Sequence, residues 1–288
     1  MSLRNNPTLS ANTLPRLGQG CWNIGDDPTK AHDEKAALRR GLELGMTLLD
    51  TAEMYGAGRS EALVGEALRG LPRGSYQLCS KVYPHNAKDP LLTASCEASL
   101  KRLNADALDL YLLHWRGDVP LAETVAGLEG LVKAGKIRRW GVSNFDVSDM
   151  EELWAVPNGP HCAADQVLYH LGSRGVEFDL LPWLRAHGVA AMAYCPLAQG
   201  GTLRRTRQDF LTDPPLRAVA KAHDASVLQL MLAFVLRQPG VTAIPKAGRP
   251  AHTEQNARAL SLGISPQEWA QIDAVFWPPT AKMHLDIE

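Results

Sequence analysis

The sequence predicts an α/β protein of the (β/α)8, or TIM-barrel, class: one parallel barrel domain over residues 1–288, preceded by an N-terminal β-hairpin. Three observations carry this expectation. Short apolar runs alternate with helix-like segments along the whole chain, eight such runs occur, and no Pro- or Ser-rich linker or fixed-period repeat divides them. An open doubly wound sheet is the alternative. It is disfavoured because no strand-to-helix turn carries the glycine fingerprint of a dinucleotide-binding fold.

The first run, Leu17–Trp22, follows the polar stretch Asn5–Pro15, where the hairpin is expected. The others are Thr47–Leu49, Tyr76–Val82, Leu108–Leu113, Ile137–Val142, Ala163–Leu168, Val189–Tyr194 and Val241–Ile244. Between them, Leu92, Cys96, Leu100 and Leu103 recur at helical spacing. Ser148-x-x-Glu151, Ser226-x-x-Gln229 and Ser265-Pro266-Gln267-Glu268 have the form of capping boxes, and the last has Pro at the first helical position. Gly45, Gly135 and Gly188 fall where helices give way to strands, the place for a left-handed C-cap.

At 288 residues, 45% of them hydrophobic, the chain can bury a large core. Thirty basic residues against 31 acidic ones leave a net charge of −1, with no block of like sign, which argues against a nucleic-acid partner. No apolar run approaches the roughly 18 residues of a membrane span, and Met1-Ser2-Leu3-Arg4 lacks an apolar signal core. Five cysteines without metal-type spacing fit reduced thiols in a cytoplasmic protein with no bound metal. Nothing resembles a coiled-coil seam, so a monomer is the default.

In such barrels the working residues sit at the carboxyl ends of the strands. Asp50 follows Thr47–Leu49, Lys81 follows Ser80, and His114 and Trp115 follow Leu110–Leu113. Ser143 and Asn144 follow Trp140–Val142, Gln166 lies in the next run, Tyr194 ends the seventh and Lys246 follows the eighth. Each has a plain reading alone: Asp50 as a helix cap, Tyr55 as a half-buried loop residue, Lys81 as a solvated strand end, His114 as a core histidine, Asn144 as a turn residue. Their joint placement on one rim points to a site. A charge at the end of a buried strand needs a partner, and Asp50 and Lys81 pair most simply with each other.

The strings Leu48–Gly56 (with Asp50 and Tyr55), Ser80-Lys81-Val82, Asp109–Trp115 (with His114), Gly141–Phe145, Tyr194–Leu197 and Ile244-Pro245-Lys246 resemble the aldo-keto reductase superfamily, over about residues 18–260. Lys81–Pro84 and Gln166–Gly175 resemble its bacterial branch that reduces methylglyoxal and similar 2-oxoaldehydes. The resemblance implies hydride transfer from NADPH to a small aldehyde or ketone. Tyr55 would be the general acid, Lys81 the cation beside it, lowering the cost of the phenolate, Asp50 the anchor of Lys81, and His114 a donor to the carbonyl oxygen. It further implies that Ser143, Asn144 and Gln166 hold the nicotinamide carboxamide and that Tyr194 stacks on its ring. The turn Pro196, Leu197, Gln199, Gly200 would wrap the pyrophosphate.

Lys246 and Arg249 precede a helix-like segment and would receive the 2′-phosphate, with His252, Gln255 and Asn256 near the adenine. Two departures from the family pattern stand here: Ala247 where a hydroxyl residue is common, and His252 where an arginine is common. Trp22, Tyr83 and Trp115 would wall the substrate pocket beside Tyr55 and His114. The short tail after Trp277 implies an open site, and Cys195 is expected to be a small buried residue. The alternative from another class is an NADPH-binding, redox-sensing subunit of the potassium-channel β type with little turnover. A Schiff-base role for Lys81 ranks last, because Asp50 would raise its pKa rather than depress it.

Overall fold

Gly45, Gly135 and Gly188 all adopt left-handed backbone, with φ of 86°, 71° and 71°. They close the helices that precede the second, fifth and seventh strands. The computed structural model describes residues 14–198 and 206–288. The strands are β1 (Gln19–Gly20), β2 (Leu48–Asp50), β3 (Gln77–Val82), β4 (Leu110–Leu113), β5 (Trp140–Ser143), β6 (Ala164–Leu168), β7 (Ala190–Tyr194) and β8 (Val241–Ala243). The helices are α1 (Ala31–Glu43), α2 (Arg59–Leu68), α3 (Leu91–Leu103), α4 (Leu121–Lys133), α5 (Val147–Ala155), α6 (Leu180–Ala186), α7 (Arg207–Thr212), α8 (Pro214–Ala222), α9 (Val227–Leu236), α10 (Pro250–Arg258) and α11 (Pro266–Asp273).

All eight strands form one sheet in sequence order, each pair parallel. The last strand returns to the first. Gly18 N donates to Ala243 O at 2.8 Å and Gly20 N to Pro245 O at 3.1 Å, flanking the parallel bridges Leu17↔Ala243 and Gly20↔Lys246. The hairpin expected over Asn5–Pro15 falls on residues outside the described ones, apart from Leu14 and Pro15.

Successive side chains on a strand point to opposite faces, so the sheet carries two apolar layers. The inner one is small: Leu48, Cys79, Leu110, Leu112, Ala164, Met192 and Ile244 fill the barrel. The outer one, between strands and helices, holds most of the core, including Tyr111, Val142 and Val167. Capping agrees with the sequence at two sites and differs at a third. Ser226 with Gln229, and Ser265 with Glu268, form the expected boxes on α9 and α11. On α5 the box is Asp146 with Asp149, not Ser148 with Glu151, because extended backbone at Asp146 (φ −87°, ψ 176°) makes it the N-cap and starts the helix at Val147, two residues before a Ser148 cap would. Among the described residues no single helix is long and apolar enough to cross a membrane.

Candidate active site

Stepping two residues beyond the inner core, toward the carboxyl end of each strand, keeps the side chain pointing inward and lands on the polar rim. Leu48 leads to Asp50, Cys79 to Lys81, Leu112 to His114, Ala164 to Gln166, Met192 to Tyr194 and Ile244 to Lys246. The period-two geometry of six strands thus aims six polar side chains at one end of the barrel.

Lys81 is fully buried. Its Nζ donates to Asp50 Oδ2 at 2.8 Å, to Thr51 O at 2.9 Å and approaches Tyr55 Oη at 3.0 Å. Tyr55 reaches it from the turn after β2, where Gly56 and Ala57 are both left-handed (φ 58° and 53°). A Cβ on Gly56 would lie 2.4 Å from Asp26 Oδ1, so a side chain there would have to displace the Asp26 carboxylate and adopt a strained left-handed backbone. His114 presents its ring edge-on to Tyr55, with centroids 5.7 Å apart. Its Nδ1 is buried without a partner.

The electrostatics follow from burial. Burial disfavours the Lys81 ammonium, but Asp50 and then Tyr55 more than offset it, and Lys81 is held above its ordinary pKa. Tyr55 is pushed up to about 12: burial leads, and the lowering by Lys81 does not overcome it. Lys81 eases Tyr55 toward the phenolate, as expected, but burial outweighs it, so Tyr55 stays a neutral acid with a cation at its oxygen. His114 is pushed down to about 3 by burial and then by Lys81, so its imidazole is neutral.

The remaining rim residues form a connected polar network. Gln166 Nε2 donates to Asp50 Oδ1 at 2.8 Å, and Ser143 Oγ donates to Gln166 O at 2.8 Å. Asn144, left-handed at φ 60°, donates from Nδ2 to His114 O and to Ser143 Oγ, each at 3.2 Å. Tyr194 Oη donates to Asn144 Oδ1 at 2.8 Å.

A cavity of about 280 Å³ opens on this network. Of the residues singled out in the sequence, Trp22, Asp50, Tyr55, His114, Ser143, Asn144, Gln166, Tyr194 and Lys246 line it. Tyr83 and Trp115 stand outside that lining. They extend from His114 as an aromatic row, with Trp115 at 4.9 Å from His114 and Tyr83 edge-on to Trp115 at 5.9 Å. Pro196 and Leu197 are buried in the turn after β7, and Gln199 and Gly200 lie outside the described residues. Arg249 is the N-cap residue of α10. On that helix His252 and Gln255 are exposed and Asn256 is buried.

The sequence reading missed several lining residues: Gly20, Cys21, Asn23, Met54, Cys195, Ile244 and Glu288. Cys21 closes the strand end that supplied Trp22, so the rim argument extended by one residue would have found it. Cys195 is half-buried, and burial and then Glu288 push its thiol up to about 12. Glu288 had no sequence signal. The tail is not clear of the site: Ser173 Oγ donates to Asp286 Oδ2 at 2.6 Å, and Glu288 N approaches Tyr194 Oη at 3.3 Å. The short tail thus contributes Glu288 to the cavity wall.

Residues 16–276 match the model of the aldo/keto reductase family. The chain is 52% identical over 275 residues to the Escherichia coli (strain K12) methylglyoxal reductase YeaE, covering 96% of this chain and 95% of that protein. It is 32% identical over 264 residues to the glyoxal reductase of Bacillus subtilis (strain 168), covering 91% and 89%. The crystal structure of an aldo/keto reductase from Klebsiella pneumoniae in complex with NADP and acetate superposes with a TM-score of 0.92 at 50% identity, covering 96% of each chain.

Proposed function

The chain belongs to the aldo/keto reductase family, and on that premise we propose that it reduces small aldehydes and ketones, 2-oxoaldehydes such as methylglyoxal among them, with NADPH. The observation that carries this reading is the buried contact of Lys81 Nζ with both Asp50 Oδ2 (2.8 Å) and Tyr55 Oη (3.0 Å), facing His114 across one cavity.

The residues fit the cofactor. Ser143, Asn144 and Gln166 offer amide and hydroxyl groups suited to a carboxamide, Tyr194 offers a ring face, and Lys246 an ammonium, all lining the cavity that Asp50, Tyr55 and His114 also line. Arg249 and the start of α10 would add to the cationic end that takes the 2′-phosphate, and His252, Gln255 and Asn256 would hold the adenine. When bound, NADPH supplies the hydride.

The chain does the rest. His114, being neutral, keeps an N–H to give to the carbonyl oxygen, which it orients and polarises. Tyr55 holds its proton at neutral pH and delivers it to that oxygen as negative charge develops there. The Lys81 ammonium then stabilises the phenolate left behind, and Asp50 keeps Lys81 charged and in place. Trp22 forms the apolar wall at the substrate end; Tyr83 and Trp115 back His114 from outside the cavity.

The same reading takes residues 1–288 as a single domain, monomeric, and cytoplasmic. Five free cysteines support the cytoplasmic assignment. The test is the loss of NADPH absorbance on adding methylglyoxal, run beside NADH and beside Tyr55→Phe. Oxidation of NADPH that disappears in the variant is the expected result. Tight NADPH binding without turnover of any aldehyde would favour the regulatory, redox-sensing subunit instead.

A further inference from the structure

We propose that Glu34, a buried acid on α1, sets how strongly Lys246 holds the 2′-phosphate of NADPH, and so sets how far the enzyme prefers NADPH to NADH. The inference rests on the reading that NADPH binds here with Lys246 at its phosphate.

Glu34 is unusual for an acidic residue in being 1% exposed. Its Oε2 accepts the backbone N–H of Gly25 at 2.9 Å, fixing the loop after β1 that also brings Asn23 to the cavity. Its Oε1 lies 3.9 Å from Lys246 Nζ. That separation is within ion-pair range and beyond a hydrogen bond, so the carboxylate acts on the ammonium through its field rather than by holding its position. The lysine side chain is 29% exposed against 2% for the Glu34 side chain, so the cation faces the cavity while the anion sits behind it in a poorly screened setting.

A 2′-phosphate arriving at Lys246 therefore meets an ammonium whose attraction is partly cancelled, and it feels the repulsion of Glu34 directly. NADH carries no phosphate at that position and does not sense either effect. Glu34 thereby weakens the discrimination that Lys246 and Arg249 would otherwise impose.

Glu34→Gln isolates the charge, since the amide oxygen still accepts the Gly25 N–H. Binding is followed by quenching of tryptophan fluorescence, with Trp22 in the cavity wall, using NADPH and NADH, and by calorimetry with adenosine 2′,5′-bisphosphate. The expected result is an NADPH Kd lowered about tenfold with the NADH Kd nearly unchanged, a gain that shrinks in a Lys246→Met background. Should Glu34→Gln fail to fold, Glu34→Asp, which draws the charge back by one methylene, carries the same test with a smaller gain for NADPH alone. An NADPH Kd that is unchanged or raised, or NADPH and NADH affinities that move together, overturns the proposal. Wild-type protein that binds neither nucleotide would overturn the functional reading along with it. Wild-type protein that binds NADPH and reduces methylglyoxal, with no selective effect of Glu34→Gln, would overturn this inference only.

Discussion

Gln166 donates its side-chain Nε2–H to Asp50 Oδ1 at 2.8 Å, so the carboxylate that anchors Lys81 is itself held from across the barrel. The residues are 116 positions apart, and the bond joins β6 to β2 through the interior. One N–H of Gln166 is thereby committed to Asp50, and under the proposed function its carbonyl oxygen would be the atom left for the nicotinamide carboxamide.

Gln166→Leu keeps the volume and removes the donor. It leaves a buried carboxylate oxygen without its partner, at a cost of about 1–3 kcal/mol. With Asp50 free to turn, Lys81 is less well placed, and kcat should fall more than KM for the aldehyde rises. Denaturant unfolding and steady-state kinetics on one preparation check both. Wild-type stability together with wild-type kcat would deny the bond any role.

Lys81→Met should abolish reduction and destabilise the fold by about 3–5 kcal/mol, because it strands the Asp50 carboxylate in an apolar interior. The double variant Asp50→Asn/Lys81→Met should recover most of the stability and none of the activity. If the double variant unfolds as readily as the single one, the stranded charge is not the cause.

The pH dependence of stability has a definite sign. His114 and His170 are pushed down to about 3 and about 4, burial being the leading cause in both. In the unfolded chain each titrates near ~6.5. Between those values and ~6.5 the unfolded state binds more protons, so stability rises with pH there. It is fully present above pH ~6.5 and is lost as pH falls toward the folded values, by up to about 1.4 kcal/mol per unit for each histidine. Urea unfolding at about pH 7 and about pH 5 measures the slope. His170→Asn, which retains an acceptor for the Gly172 N–H, should reduce it.

Removing residues 278–288 should change which aldehydes are taken. The deletion loses the Asp286 contact to Ser173 and the ion pairs of Lys282 with Asp146 and Asp179, and it strips Glu288 from the cavity wall. The ratio of kcat/KM for phenylglyoxal to that for methylglyoxal should shift by about tenfold, toward the larger substrate. An unchanged ratio would mean the tail only rests against the site.

Most of the rim was legible because strands impose a strict alternation. Once Leu48, Cys79, Leu112, Ala164, Met192 and Ile244 are read as inward-facing, the polar residue two places on is fixed. What was lost was lost for local or for long-range reasons. The start of α5 was misplaced because Asp146 and Ser148 are both competent caps, and only the backbone at Asp146 decides between them. Apolar runs overstate the strands at their amino ends: Leu108 and Ile137 bridge each other outside β4 and β5. Glu34 and Glu288 reach the site by approaches between distant parts of the chain, to Lys246 and to Tyr194, and no pattern in the neighbouring sequence announces them. The tetrad pKa values were likewise not readable, since burial, which sequence reports poorly at loop positions, outweighs Lys81 at Tyr55.

The way the barrel distributes its rim has a consequence for how such a catalyst is divided. Asp50, Tyr55, Lys81 and His114 all come from β2 to β4 and the turns beside them, whereas Ser143, Asn144, Gln166, Tyr194 and Lys246 come from β5 onward. On the proposed function, one half of the chain would hold the proton-transfer apparatus and the other half would grip the hydride carrier. Two strand seams join them among the described residues, the β4–β5 ladder and the closure where Gly18 and Gly20 meet the end of β8, and α1 packs on α10 beside the second. The Gln166–Asp50 bond spans that divide from within. A fragment ending between β4 and β5 would carry every tetrad residue and still have nothing to bring the reductant to them, so activity in this architecture is a property of the joined halves and of neither alone.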